Sequence, residues 1–132
     1  MPRKIPYRNK SPYGWWIASY LERFEYEGED KSNLNRRCFA WENTILIRAP
    51  NREQAYRKAI KFGSIANGSR ARNQTTGRKG RWCFEGLTSL LPIYDKLEDG
   101  EEVLWKEHRN RTVKTIKSWV KRKKDLETFI DD

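Results

Sequence analysis

Side chains with the chemistry for catalysis or metal binding are few in this sequence and do not cluster. The single histidine, His108, follows Glu107 and could move a proton, but no nucleophile motif accompanies it. The acidic turn at residues 98–102 lacks the ligand spacing of a calcium site, and Glu42 beside Asn43 is better explained by a structural hydrogen bond. No phosphate-binding glycine motif, paired-cysteine motif or serine elbow occurs. We therefore expect no enzyme activity, no metal and no cofactor.

Basic residues are the remaining side chains with a chemical role, because they attract acidic partners at long range. The formal net charge is +10. Residues 1–12, 51–76 and 105–132 carry +4, +5 and +4, whereas residues 13–50 and 77–104 carry −1 and −2. The excess lies almost entirely outside the stretches with strand patterns. This distribution predicts a framework close to neutral that presents cationic additions for contact.

Eight basic residues in two segments are the predicted contact points with a partner. The glycine-rich stretch 67–81 is predicted to form a mobile loop, and the last helix presents lysines one or two turns apart. Arginine engages carboxylates through two parallel hydrogen bonds, which gives specificity as well as attraction. The predicted residues are Arg70, Arg72, Arg78, Lys79 and Arg81 in the loop and Lys117, Lys121 and Lys124 on the last helix.

Two binding functions fit these basic residues. The favoured one is a non-catalytic protein-binding module, of immunity or inhibitor type, that engages an acidic partner protein such as a toxin. The alternative is a nucleic-acid-binding protein that contacts phosphates through the same surface. Aromatic residues at core spacing in the strand runs and the absence of RNA-binding strings weigh against it. No small-molecule substrate or membrane partner is expected, and without an apolar run or export signal a cytoplasmic location is expected.

The first half of the chain shows clear strand and helix patterns. The run GWWIASYLERFEYEG predicts a strand whose apolar parity changes after Leu21, by a bulge or by burial of both faces. The run RCFAWENTILIRA alternates more cleanly and predicts a second strand that pairs antiparallel with the first. Asn51 has Gln54 three residues later, the spacing of a capping box, so a helix is predicted to begin there.

The second half completes the predicted fold. WCFEGL predicts a short third strand, LTSLLPIYDKL a short helix broken by Pro92, and EVLWKEH a fourth strand. Residues 112–130 predict a basic amphipathic helix, either docked on the sheet, which is favoured, or projecting from it. The predicted class is α+β: an antiparallel sheet of about four strands in the order β-β-α-β-(short α)-β-α, with helices on one face. Residues 1–12 form a basic arm, and 13–132 a single domain.

Three stretches of the sequence also carry a family resemblance: WWIASYLERFEYEGE, WENTILIRAPNREQAYRKAIKFG and WCFEGLTSLLPIYDKLEDGEEV. Over about residues 14–105 the chain resembles a small bacterial family catalogued as a domain of unknown function, number four-two-eight-eight. The most specific part is W-E-N followed by a strand and E-Q-A-Y-x-K-A. The resemblance implies a compact α+β domain with no established activity, and it brings no catalytic residues. The basic arm, the glycine-rich loop and the last helix depart from the family pattern.

Overall fold

A four-stranded antiparallel sheet forms the centre of the computed structural model, which describes residues 4–131 without the side chain of Thr128. The elements are β1 (Trp15–Tyr26), β2 (Ala40–Arg48), α1 (Arg52–Gly63), β3 (Arg70–Arg72), β4 (Lys79–Pro92) and α2 (Val113–Ser118), with 3-10 turns at Tyr7–Asn9, Lys123–Asp125 and Glu127–Phe129. The sheet order is β2-β1-β4-β3, so β1 and β4 are central. The predicted α+β class with an antiparallel sheet is confirmed.

The first half folds as the periodicity predicts. β1 and β2 pair antiparallel, with Trp15 opposite Arg48 at one end of the ladder. The side chain of Asn51 accepts a hydrogen bond from the backbone N–H of Gln54 at 2.9 Å, so the predicted cap starts α1. The helix ends at Gly63, where a Cβ would lie 2.9 Å from the ring of Phe84. Glycine therefore lets the end of α1 approach the sheet closely.

The core lies between α1 and one face of the sheet. Ala55 and Ala59 of α1 are one turn apart and fully buried, so the helix backbone can come close to the strands. The indole N–H of Trp16 donates to the carbonyl of Ala49 at 3.0 Å, which satisfies the one polar group of this large buried side chain. The buried cluster comprises Trp16, Ala18, Ile47, Ala49, Ala55 and Ala59.

The strand predicted over WCFEGL corresponds to β4 and is longer than predicted. The helix predicted over LTSLLPIYDKL does not form at residues 87–92, because these residues belong to β4. β4 is a single strand of 14 residues. Its pairing with β1 shifts between Ser19 and Tyr20 and again between Leu21 and Glu22. Each shift is a bulge that adds one residue to β4. The apolar side chains on the α1 side therefore recur about every three residues, which imitates a helical period in the sequence.

The predicted fourth strand over EVLWKEH is wrong. Residues 101–109 have no regular structure, and the sheet instead gains β3 at its edge. Leu104 and Trp105 line an open groove together with Ile17 and Leu91, which are paired on the face away from α1. The segment thus crosses the second face of the sheet without hydrogen bonding to it as a strand.

The predicted helix over residues 112–130 is also wrong in its extent. α2 covers only Val113–Ser118, capped by Thr112, whose hydroxyl accepts from the N–H of Thr115 at 3.1 Å. Trp119 packs against His108 with ring centroids 4.7 Å apart, yet Val120 is 80% exposed. The favoured docking of the apolar stripe on the sheet is therefore wrong, and among the helices of residues 4–131 it is α1 that packs on a face of the sheet.

The described part of the predicted basic arm lies against the end of β4. The ring of Tyr7 stacks on Tyr94 at 6.2 Å, and the hydroxyl of Tyr94 donates to the carbonyl of Arg8. Ser11 donates to the carbonyl of Ile93 at 2.8 Å. Residues 1–3 of the predicted arm fall outside the description. No helix in the described part of the chain has the length and apolar character needed to cross a membrane.

Candidate functional site

The stretch predicted to form a mobile loop folds as a β-hairpin of β3 and β4. Its turn is organised by Asn73, whose side-chain oxygen accepts from the backbone N–H groups of Thr75 at 2.8 Å and Thr76 at 3.1 Å. The side-chain amide of Asn73 donates to the hydroxyl of Tyr26 at 2.7 Å, which ties the turn to the end of β1. The expectation of an irregular loop is wrong, because β3 pairs with β4 and one asparagine bonds both within the turn and to the central strand.

The hairpin places four cations on one face. Residues directly opposite each other in an antiparallel pair point to the same side. Ala71 is opposite Gly80, and a Cβ on Gly80 would lie 2.4 Å from the carbonyl of Glu25 and 2.6 Å from the ring of Phe24. Because glycine has no side chain, Gly80 allows the hairpin to pack tightly on β1. The other two opposed pairs define the basic face: Arg70 with Arg81, and Arg72 with Lys79.

A buried carboxylate anchors one corner of the basic face. Glu25 is 6% exposed, and burial alone would raise its pKa. Hydrogen bonds from Lys31 and Arg81 outweigh this effect, so the pKa of Glu25 is lowered. Arg81 is held in place while half of its side chain stays exposed. The nitrogen–oxygen distances to Glu25 are 3.3 Å for Arg23, 3.4 Å for Lys31, 3.5 Å for Arg36 and 3.2 Å for Arg81.

The other three cations of the basic face have no carboxylate partner among the residues that the structure describes: Arg70, Arg72 and Lys79. Arg72 donates to the carbonyl of Gly77 at 3.2 Å, which leaves its remaining donors free. Arg70, Arg81 and Lys31 line a shallow pocket of about 310 Å³ together with the carboxylates Glu25 and Glu27. Because guanidinium groups present paired donors, this arrangement can bind carboxylate or phosphate oxygens.

The fifth predicted hairpin residue, Arg78, lies apart from the basic face. Its guanidinium carbon is 4.1 Å from the ring centroid of Tyr26. A cation over an aromatic face at this distance is held by the ring's quadrupole. The structure therefore brings together Arg70, Arg72, Lys79 and Arg81 and assigns Arg78 to the turn.

The predicted lysines near the carboxyl end do not share a helix face. Lys117 lies in α2, Lys121 follows it, and Lys124 lies in the 3-10 turn Lys123–Asp125. The ammonium of Lys121 is 2.7 Å from the carboxylate of Glu127, and this hydrogen bond raises the pKa of Lys121. Because the long helix does not form, the spacing on which their joint role depended is lost. As a binding group these residues stay a prediction.

Sequence reasoning missed the groups that hold the basic face in position. Glu25 and Lys31 are distant in sequence from Gly80, and the sheet brings the three residues together. One signal was available: Glu25 is an acidic residue between two aromatics, Phe24 and Tyr26, inside a strand pattern. A carboxylate in that position implies a cationic partner across the sheet. Among residues 4–131, no group of three or more His, Cys, Asp or Glu side chains is arranged to hold a metal ion.

Comparison with known proteins matches the chain to a family model. The family model described as "Domain of unknown function (DUF4288)" matches residues 15–105. The match includes the sheet, α1 and the hairpin, whereas the amino-terminal arm and the carboxy-terminal segment lie outside it. No curated protein and no solved structure matches the chain. Since the family model covers more than half of the chain, the chain belongs to the DUF4288 family.

Proposed function

We propose that this chain is a non-catalytic protein-binding domain that holds an acidic segment of a partner protein on its basic face. The observation that supports the proposal most is the opposition of like charges across β3 and β4. Arg70 faces Arg81, and Arg72 faces Lys79. Like charges directly opposite each other destabilise a strand pair. An acidic partner relieves that repulsion, so binding is favoured beyond the new contacts themselves.

The size of the basic face favours an acidic protein over nucleic acid. Four cations lie within two cross-strand pairs, a span of roughly 7 Å along the strands. Binding of nucleic acid at physiological salt draws on many phosphate contacts made by Lys and Arg. A few guanidinium groups at fixed positions are instead suited to paired hydrogen bonds with carboxylates.

The aromatic side chains next to the hairpin support the same choice. Phe24 and Trp82 pack edge to face with ring centroids 5.1 Å apart, and Phe39 and Trp82 do so at 5.7 Å. Proteins that bind single-stranded RNA or DNA present aromatic faces on which bases stack. Rings that pack on one another here form a framework for the hairpin. For this mode of binding we propose an inhibitor or immunity role, in which the domain covers an acidic surface of its target.

The test compares two probes of equal charge on the full-length protein. A labelled glutamate-rich peptide and a labelled single-stranded oligonucleotide, each with about ten charges, are titrated at about 150 mM salt and followed by fluorescence anisotropy. We expect the peptide to bind more tightly. Tighter binding of the oligonucleotide would contradict the proposal and favour the nucleic-acid alternative.

Charge reversal locates the surface. The double variant Arg70→Glu/Arg72→Glu should weaken peptide binding at least about tenfold, because two repulsive contacts replace two attractive ones. The matched control is Arg57→Glu/Lys61→Glu, which makes the same change in charge on the exposed side of α1. If the control weakens binding as much as the hairpin variant, the interaction follows net charge and the proposed surface is wrong.

A further inference from the structure

The outer edge of β2 is open. β2 has β1 as its only neighbour in the sheet of the described residues. The backbone bonds from Ala49 to Gly14 and from Phe24 to Phe39 extend the β1–β2 ladder. Hydrogen-bonded pairs alternate in an antiparallel ladder. Odd-numbered residues of β2 therefore direct their backbone groups at β1, and even-numbered residues direct theirs away from the sheet.

The outer edge of β2 has few of the features that keep a free edge strand from pairing with another strand. In the part of the chain that the structure describes, its outward backbone groups receive one hydrogen bond, from the ammonium of Lys58 to the carbonyl of Arg48 at 2.6 Å. β2 is nine residues long, and Leu46 and Trp41 are 51% and 56% exposed. Proteins commonly keep free edge strands short or covered, since a long edge with apolar side chains pairs with another strand.

We propose that this edge pairs with the same edge of a second copy of the chain, antiparallel and centred on Ile45. The even-numbered residues must face one another, because only they carry outward donors and acceptors. With Ile45 at the two-fold axis, Thr44 faces Leu46 of the other copy. The two sheets then join into one continuous sheet through about eight backbone hydrogen bonds.

Charge complementarity identifies the second copy as the occupant and fixes the register. In the Ile45-centred pairing, Glu42 of each copy faces Arg48 of the other, and the pair occurs twice because of the two-fold symmetry. Both side chains are exposed and point to the same face of the sheet. Neither forms an ion pair with another described residue.

The neighbouring registers lack this complementarity. Centring on Thr44 would place Glu42 opposite Leu46 and Arg48 opposite Ala40. Centring on Leu46 would place Arg48 opposite Thr44 and Glu42 beyond the end of the strand. Both satisfy the backbone but leave the charges unmatched. Opposite charges across strands stabilise pairing, so the Ile45-centred register is preferred.

A charge-swap cycle in sedimentation velocity tests the proposal on the full-length chain. We expect the wild type to shift from monomer to dimer as concentration rises. Glu42→Arg and Arg48→Glu should each weaken dimerisation by about tenfold or more, because each turns two attractive contacts into two repulsive ones. The double variant Glu42→Arg/Arg48→Glu should restore the dimer. Glu53→Arg, which changes charge on the exposed side of α1, is the control and should leave the dimer unchanged.

A second variant tests the backbone pairing. Leu46→Pro removes one outward N–H that has no hydrogen-bond partner among the described residues, and proline is tolerated at such edge positions. It should weaken the dimer more than either charge reversal. A wild type that stays monomeric at high concentration, or a double variant as weak as the single ones, would overturn the proposal. β2 and β3 lie at opposite edges of the sheet, so these variants should leave binding of the glutamate-rich peptide unchanged, which separates this test from that of the proposed function.

Discussion

The β3–β4 hairpin and the segment after residue 105 are both rich in cations, but they hold those cations in different ways. In the hairpin, strand pairing sets Arg70 opposite Arg81, and a buried carboxylate fixes Arg81. In the carboxy-terminal segment, the cations that form ion pairs have exposed partners close in sequence, such as Glu127 for Lys121. Exposed ion pairs of this kind contribute little to stability. A basic composition therefore becomes a defined surface only where a sheet positions it.

The contrast between the two regions depends first on the close packing of the hairpin against β1 at Gly80. Gly80→Val should reduce the free energy of unfolding by about 3 kcal/mol, because the added atoms would meet the backbone of Glu25 and the ring of Phe24. Urea denaturation measures the change. Ala71→Val, on the residue opposite, is the control and should alter stability by less than about 0.5 kcal/mol. Equal effects of the two variants would show that close packing at Gly80 does not hold the hairpin.

The anchoring carboxylate is the next largest contribution. Glu25→Gln should cost about 2 kcal/mol, since the cations around Glu25 lose their common partner. Because the pKa of Glu25 is lower in the folded state than in the unfolded state, its contribution is fully present above roughly pH 5 and is lost as the pH falls through the folded value.

The difference in stability between wild type and Glu25→Gln should therefore shrink on acidification, which urea denaturation at a series of pH values measures. The exposed carboxylate Glu53 provides the control, because Glu53→Gln should leave the pH dependence of stability as in the wild type. A difference that stays constant down to the acid range would contradict the role given to the Glu25 carboxylate.

The carboxy-terminal segment should show the smallest effect. Lys121→Ala removes the ion pair with Glu127, whose partners are both exposed. We expect no measurable shift of the urea midpoint. A shift as large as that of Glu25→Gln would mean that this segment is as firmly held as the hairpin, and the contrast between the two basic regions would fail.

The sequence was sufficient to predict the elements that local patterns govern. The alternation in β2 and the cap at Asn51 specify structure within a few residues, and both predictions were confirmed. β4 was not predicted in full, because its bulges depend on pairing with β1. The helix over residues 112–130 failed for another reason: an amphipathic pattern is stable only when its apolar side finds a surface, and Val120 remains exposed.

The candidate site shows the same division. The basic residues of the hairpin were identified from composition, but their arrangement was not. Arg78 was grouped with the others because no local signal reveals that it lies over Tyr26. Glu25 and Gly80 were missed because their roles depend on contacts between strands far apart in the chain. Residue type predicted the chemistry, and tertiary contacts decided which residues act together.

The stacking of Tyr7 on Tyr94 has a practical consequence for work on this family. The family match begins at residue 15, so a protein trimmed to that boundary lacks Tyr7 and the bond from Ser11 to Ile93. Trimming would remove the residues that pack against the end of β4 and would expose the ring of Tyr94. The border of sequence similarity is thus not the border of the folded unit, and a shortened version for expression should start upstream of Tyr7.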